Sequence, residues 1–160
     1  FTPAHVRSSI ERSLNRLRTD VIDVVLVHSD GNDEAIIRDF GTLDALAELK
    51  RQGKLRAFGM SSKTVAGGLL AAAQCDLVMV TWNLHQREDV AVIDYCHRHG
   101  KGVLSKKALA RGQVALPGGD PVAASFGLIL AHPCVSSVIV GTIDPDHLRA
   151  NVAAAISVSP

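Results

Sequence analysis

Apolar residues along this chain alternate between helical spacing and short continuous runs. Near the start they recur at intervals of three or four, which predicts a helix that begins after Thr2-Pro3, with Thr2 as the N-cap. The apolar positions of this helix are Val6, Ile10, Leu14 and Leu17. A β-branched run over residues 21–27 follows and predicts a strand, which ends at the turn-forming residues 28–31.

The same alternation of strand and helix continues through the rest of the chain. Strands are predicted at residues 55–60, 77–82, 102–106 and 135–140. Helices are predicted at residues 43–53, 65–73, 90–99 and 122–131 and from Asp144-Pro145 onward, with a loop at residues 117–120. Five nearly continuous apolar strands, each followed by a helix, predict a parallel sheet that is covered on both faces.

Two α/β architectures have this pattern. A βα unit that repeats every ~25–30 residues suits either a TIM barrel or a doubly wound sheet. No Gly-x-Gly-x-x-Gly sequence follows any of the predicted strands, which weakens the doubly wound, dinucleotide-binding alternative. The pattern of apolar positions by itself leaves both architectures open.

Composition and charge exclude several classes of function. The 160 residues are 47% hydrophobic and 21% charged, which is typical of one globular domain with a buried core. A formal net charge of +1 gives no electrostatic reason to expect a nucleic-acid or membrane partner. We recognise no signal peptide and no apolar run long enough to span a bilayer, so the predicted location is the cytoplasm.

The cysteines give no sign of a disulfide framework or a metal site. Cys75, Cys96 and Cys134 are scattered, which predicts reduced thiols that pack as small hydrophobic residues. The histidines form no ligand array with them, so no bound metal is expected. Phe1 stands where a natural chain begins with Met, and we therefore expect residue 1 to be an internal position of a longer protein.

Polar residues follow the predicted strands at the points where the strands end. In a barrel, these carboxyl-terminal ends carry the functional residues. The residues at the five ends are His28, Ser61-Ser62, Asn83, Lys106-Lys107 and Gly141-Thr142. Ordinary turns use the same residue types, so the pattern supports a structural and a functional interpretation equally.

Two of these strand ends suggest specific chemistry. A histidine such as His28 can donate a hydrogen bond to a carbonyl oxygen and act as a proton donor, although it can equally cap a loop. Gly141 would let a phosphate approach the backbone, beside the N-terminus of the helix that begins at Pro145. Asp144 and Asp146 place acidic groups there, so an ordinary capped helix is an equal alternative.

The motifs along the chain, taken in order, resemble the aldo-keto reductase family. Those similar to the family's fourth, fifth and sixth strand regions are Ser9–Asp20 with Ile22-Asp23 and Leu26–His28, then Gly53–Ser62, then Asn83 with Gln86–Glu88. Those similar to its C-terminal cofactor segment are His132–Ser136, Ile139–Thr142, Pro145, His147-Leu148 and Asn151. The resemblance implies an α/β fold, a (β/α)8 TIM barrel, of which residues 1–160 form the C-terminal part with about strands 4 to 8.

The resemblance also implies carbonyl reduction. Members of the family bind NADP(H), less often NAD(H), and pass a hydride to a substrate carbonyl, using Asp, Tyr, Lys and His. His28 matches the histidine, which orients the carbonyl. In the family, the other three residues normally lie on earlier strands, which this chain is not expected to contain. In agreement with this, Tyr95 does not match the tyrosine motif and no lysine here matches the family lysine.

The same resemblance predicts cofactor contacts, with several departures from the family pattern. Ser61 matches the serine that holds the nicotinamide carboxamide, while Met79 stands where a carboxamide-binding Gln is common. Gly141 stands where NADP-preferring members often have Lys and His147 where Arg is frequent, and Arg149 offers a compensating charge. The predicted cofactor-binding residues are Ser61, Ser62, Asn83, Lys106, Gly141, Thr142, His147 and Asn151. NADP(H) is therefore expected first, with NAD(H) as the close alternative.

The expected function is that of an NAD(P)H-dependent oxidoreductase that reduces aldehydes or ketones to alcohols, in the complete protein and with a small-molecule partner. Lys106 stands about where many members stack an aromatic ring on the nicotinamide. The departures at Met79, Lys106 and Gly141 leave open a nicotinamide-binding sensor without turnover. An inactive fragment is a further alternative, because five strands do not close an eight-stranded barrel. The sequence specifies neither the substrate nor the oligomeric state.

Overall fold

The computed structural model describes residues 1–112 and 119–158. Its five strands run parallel and neighbour one another in chain order, which is the arrangement of a partial (β/α)8 barrel. The chain clusters into two compact units, Phe1–Met79 and Val80–Pro160. No helix in the described ranges combines the length and the apolar character that a bilayer crossing requires.

The first unit contains four helices, two seven-residue strands and the start of a third strand. Its elements are α1 (Pro3–Leu17), β1 (Ile22–His28), α2 (Asp33–Arg38), α3 (Thr42–Arg51), β2 (Leu55–Ser61), α4 (Val65–Gln74) and the start of β3 (Leu77–Thr81). The Thr2 side chain accepts a hydrogen bond from the His5 amide, as an N-cap does, and Pro3 occupies the first turn. Helix α1 buries Ile10 and Leu14.

Strands β1 and β2 are paired along their full length. Their register runs from Ile22 opposite Leu55 to His28 opposite Ser61, so the two strands end at the same edge. Strand β2 approaches β3 closely at Gly59, where a Cβ atom would lie 2.2 Å from the Leu77 carbonyl oxygen. Only glycine permits this approach, because the obstacle is backbone rather than a mobile side chain.

The second unit repeats the same βα order. Its elements after β3 are α5 (Val90–Arg98), β4 (Gly102–Lys106), a 3-10 turn (Ala110–Gly112), α6 (Pro121–Leu130), β5 (Val135–Ile139) and α7 (Pro145–Val158). Strands β4 and β5 pair in parallel, with a register shift between Val103 and Leu104. The Asp120 carboxylate caps α6, accepting from the Val122 amide at 2.8 Å.

The five predicted strands and six predicted helices are confirmed, with small differences at their ends. Helix α2 was not predicted, because turn-forming residues surround it and it has only six residues. It begins with Asp33 and Glu34, which suit the positive end of a helix dipole. The predicted loop at 117–120 lies partly outside the described residues, and the prediction of a single domain stays a prediction.

Candidate functional site

The histidine predicted to orient the carbonyl and the predicted cofactor-binding residues Ser61 and Ser62 lie at one edge of the first unit. His28 is the last residue of β1, with an exposed side chain, and it stands opposite Ser61 on β2. Ser61 and Ser62 are buried, at 3% and 4% exposure. The backbone joins the two strand ends through a hydrogen bond of 3.2 Å from the Ser29 amide to the Ser61 carbonyl. This arrangement places an exposed imidazole next to two buried hydroxyl groups.

A buried carboxylate behind this edge was missed by the sequence analysis. Asp33 is only 2% exposed, and its Oδ2 accepts hydrogen bonds from the Lys63 amide at 3.0 Å, the Thr64 amide at 2.8 Å and the Thr64 hydroxyl at 2.7 Å. Burial raises the pKa of Asp33, but the hydrogen bonds from Ser29, Thr64 and Lys63 outweigh it and hold the pKa below its ordinary value.

The lowered pKa makes the stability that Asp33 provides depend on pH. A carboxyl whose pKa is lower in the folded state stabilises the fold above its ordinary pKa of 3.8, and this contribution is lost as the pH falls through the folded value. We expect Asp33→Asn to lower the free energy of unfolding by about 1–3 kcal/mol at neutral pH, because buried amide donors lose their acceptor. Below pH ~4 the difference from the unsubstituted protein should shrink.

Denaturant unfolding of the Asp33→Asn variant and of the unsubstituted protein, at neutral and at acid pH, measures the difference in their free energies of unfolding. Asp30→Asn is the matched control, because Asp30 is exposed and accepts a single hydrogen bond from the Asn32 amide at 2.9 Å in the same loop. An Asp33→Asn deficit that stays constant from neutral pH to pH ~3 would show that the Asp33 charge contributes nothing.

In the second unit, the Asn83 side chain forms hydrogen bonds within the protein. Its amide donates to Gln86 Oε1 at 3.3 Å and to the Lys107 carbonyl at 3.0 Å. Its oxygen accepts from the amides of His85 and Gln86, each at 2.9 Å. These four bonds use the full hydrogen-bonding capacity of an asparagine side chain. Asn83 therefore fixes the backbone at Lys107, beyond the end of β4, instead of offering a free group.

A cavity of about 650 Å³ in the second unit is lined by the end of β5, the N-terminal part of α7 and the segment after β4. Four of the predicted cofactor-binding residues line it: Gly141, Thr142, His147 and Asn151. Lys107 also lines it, in a left-handed backbone conformation with φ of 56°, whereas the predicted Lys106 is the half-buried last residue of β4. The volume is within the range of small-molecule and cofactor sites.

The N-terminus of α7 is capped by its own carboxylate. Asp144 Oδ1 accepts from the Asp146 amide at 2.8 Å and the His147 amide at 3.4 Å, and these bonds lower the pKa of Asp144. His147 Nε2 lies 3.8 Å from Asp144 Oδ2, while Arg149 donates to Asp146. Two backbone amides and one arginine that a phosphate would use are therefore engaged with carboxylates.

The other chemically active side chains serve packing. The Tyr95 ring stacks on His99, with a centroid separation of 4.0 Å. Cys75 and Cys96 are buried and Cys134 is half-buried, and none of the three forms a disulfide. Burial, together with the nearby Cys134, raises the pKa of Cys96 to about 11, which suppresses its reactive thiolate. Across residues 1–112 and 119–158, no three His, Cys, Asp or Glu side chains group as a metal site requires.

Parallel strands that neighbour one another in chain order and are joined by helices define a barrel-type α/β protein, a class in which functional residues lie at the carboxyl ends of the strands. The sequence model of the aldo/keto reductase family matches residues 1–116. This chain belongs to the aldo/keto reductase family.

Individual relatives agree with this assignment. A proposed aldo-keto reductase from Pseudomonas aeruginosa superposes with a TM-score of 0.91 at 52% identity, covering 99% of this chain and 60% of its own. Aldo-keto reductase AKR11C1 from Bacillus halodurans gives 0.82 at 25% identity, covering 96% and 62%. Pyridoxine 4-dehydrogenase of Escherichia coli is 28% identical over 96% of this chain and 59% of its own. The chain thus spans about 60% of the length of these relatives.

Proposed function

We propose that this chain is part of an NAD(P)H-dependent oxidoreductase that reduces aldehydes or ketones to alcohols. The observation that carries the proposal is the pairing of His28 with Ser61 at the carboxyl ends of adjacent parallel strands. Membership of the aldo/keto reductase family and the strand-end position of these residues support it. The proposed partner is a small carbonyl compound, and the proposed location is the cytoplasm.

The residues of this edge fit a nicotinamide ring. Ser61, at the end of the strand next to His28, is a buried residue that matches the carboxamide-binding serine of the family. Ser62, the buried residue after it, stands where many members have Asn. A bound reduced nicotinamide supplies the hydride. His28 would orient the substrate carbonyl and donate a hydrogen bond to its oxygen, where negative charge develops as the hydride arrives.

For the adenosine end we propose the cavity of the second unit, with Thr142, His147 and Asn151 as the contacts. NADP(H) remains the first choice from the family resemblance. NAD(H) is the second candidate, because Asp144 occupies the α7 amides and Arg149 is paired with Asp146, which reduces the positive charge available to a 2′-phosphate. Lys107, which also lines this cavity, contributes a positive charge to it.

The test is turnover by the full-length protein. We expect oxidation of NADPH or NADH when a panel of reactive aldehydes is added. The loss of absorbance of the reduced nicotinamide measures this oxidation. Binding of the cofactor without turnover of any aldehyde would support the sensor alternative. Absence of both binding and turnover would end the proposal.

A substitution at Asn151 tests the adenosine end. Asn151→Ala should weaken binding of the preferred cofactor by about three- to tenfold, the usual effect of one lost hydrogen bond. Ser157→Ala on the same helix is the control, because the Ser157 hydroxyl is exposed and donates to the Ala154 carbonyl within the helix. Titration of nicotinamide fluorescence measures both. Equal affinities in the two variants would place the adenosine elsewhere.

A further inference from the structure

We propose that Asp33 is a positioning residue that holds His28 and the Ser61-Ser62 pair in a fixed mutual geometry. This inference rests on the proposed function. Asp33 lies on the segment that follows His28, and its carboxylate accepts from the Lys63 amide, directly after Ser62, at 3.0 Å. The Ser29 hydroxyl, directly after His28, adds to the hydrogen bonding that lowers the pKa of Asp33. One buried side chain therefore bridges the two loops that leave β1 and β2.

The bridge is packed tightly against the start of α4. Thr64 donates its hydroxyl to Asp33 at 2.7 Å and in turn accepts from the Gly67 amide at 3.0 Å, which makes Thr64 the N-cap of α4. A Cβ atom at Gly67 would lie 2.1 Å from the Asp33 Cβ and 2.4 Å from its Oδ2. The carboxylate thus fits only because Gly67 has no side chain, and this contact limits its movement.

The number and kind of hydrogen bonds exceed what a helix cap requires. A cap satisfies one or two amides at the start of its own helix, whereas Asp33 belongs to α2 and bonds to groups ahead of α4. Because Asp33 itself lies on the segment after His28, its bonds to the Lys63 and Thr64 amides join that segment to the one after Ser62. Inside the protein, such a charge-assisted network is stronger than in water and fixes the participating groups.

Accurate placement matters at this edge because hydride transfer depends on geometry. A displacement of ~1 Å at a catalytic group can cost about 100-fold in rate. Without the Asp33 carboxylate, the loop after His28 and the loop after Ser62 lose their common acceptor. We expect hydride transfer to slow more than cofactor affinity falls.

The test uses the full-length protein with Asp33→Asn, and with Asp30→Asn as the control. We expect Asp33→Asn to lower kcat by about tenfold or more at a temperature where circular dichroism shows the variant folded. The primary deuterium isotope effect from 4-deuterated cofactor should rise, because hydride transfer becomes more rate-limiting. A fall in kcat that follows the folded fraction, with an unchanged isotope effect, would overturn the proposal.

Ser29→Ala provides a second variant if Asp33→Asn does not fold. It removes a hydroxyl that helps to lower the pKa of Asp33 and that also accepts from the Gly31 amide at 2.9 Å, and it leaves the Thr64 cap of α4 intact. We expect it to raise the isotope effect in the same direction, with a smaller change in kcat than Asp33→Asn. An isotope effect equal to that of the unsubstituted protein would contradict the bridge.

Amide hydrogen exchange separates this inference from the proposed function. In Asp33→Asn, residues 28–32 and 61–64 should exchange faster together, while Asp30→Asn leaves residues 61–64 unchanged. Faster exchange confined to residues 61–64 would show that Asp33 stabilises only the start of α4, and it would overturn the proposal. If the unsubstituted protein reduces no carbonyl, the proposed function fails, and the exchange result still decides whether Asp33 joins the two loops.

Discussion

Replacing His28 with glutamine is expected to lower kcat/KM for aldehyde reduction by about 10²–10⁴-fold in the full-length protein. His28 ends β1 with its imidazole exposed, so it is available to a substrate carbonyl. Glutamine retains a hydrogen-bond donor but lacks the rigid imidazole ring that places it, so the orientation of the carbonyl, and with it the chemical step, should suffer. Steady-state kinetics with saturating cofactor measure the effect, and cofactor affinity should stay close to that of the unsubstituted protein.

His5→Gln is the matched control for this experiment. His5 is an exposed histidine on α1 in the same unit, and its backbone amide rather than its side chain serves the Thr2 cap. We expect its kcat/KM to be unchanged. Equal kinetics of the His28 and His5 variants would remove His28 from the reaction.

Gly59→Ala is expected to lower the free energy of unfolding by about 1–3 kcal/mol or more, the cost of adding an atom to a filled core. The new methyl group would meet the Leu77 carbonyl oxygen at 2.2 Å and the Leu26 Cδ2 at 2.9 Å. The first obstacle is the backbone of β3, so β2 and β3 must separate to admit it. Denaturant unfolding measures the loss.

Gly127→Ala should behave in the opposite way. Gly127 lies within α6, and the nearest heavy atom to an added Cβ is in Val158 at 3.9 Å, an ordinary contact. Alanine in a helix interior is about 0.5–1 kcal/mol more favourable than glycine, so this variant should be neutral or slightly stabilised. Similar losses of stability for both glycine variants would contradict the close approach of β2 and β3.

The alternating fold was predictable because long elements leave a clear pattern. Helix α1 has apolar positions at every third or fourth residue, and β1 is a continuous β-branched run. Helix α2 was not predictable in this way, since six residues give less than two turns of periodicity. Turn signals before it and the polar Asp33-Glu34 at its start favoured a loop instead.

The candidate site was predictable in its strand-end residues and not in their supports. His28 and Ser61 follow apolar strands, so their position at one edge follows from parallel pairing. Asp33 gave no such signal, because an acidic residue at a helix start usually points to solvent. Its burial depends on Thr64 and Gly67, more than 30 residues away in sequence, and only the fold brings them together.

Where the chain departs from the family pattern at the cavity, the structure offers little positive charge to a phosphate. Gly141 carries no charge, and the cap formed by Asp144 takes the amides of α7. In the sequence, an anion site and a capped helix are alternatives here; in the structure Asp144 caps α7, and the anion site stays a prediction. Direct binding measurements with NADP(H) and NAD(H) compare the affinities for the two nucleotides.

The central claim is that His28 and Ser61 surround one nicotinamide ring at the shared edge of β1 and β2. A crystal structure of the full-length protein with bound oxidised cofactor tests it most directly. The account predicts the nicotinamide carboxamide within hydrogen-bonding distance, ~3 Å, of the Ser61 hydroxyl, with the His28 imidazole facing the substrate side of the same ring. A nicotinamide bound away from both side chains would contradict it.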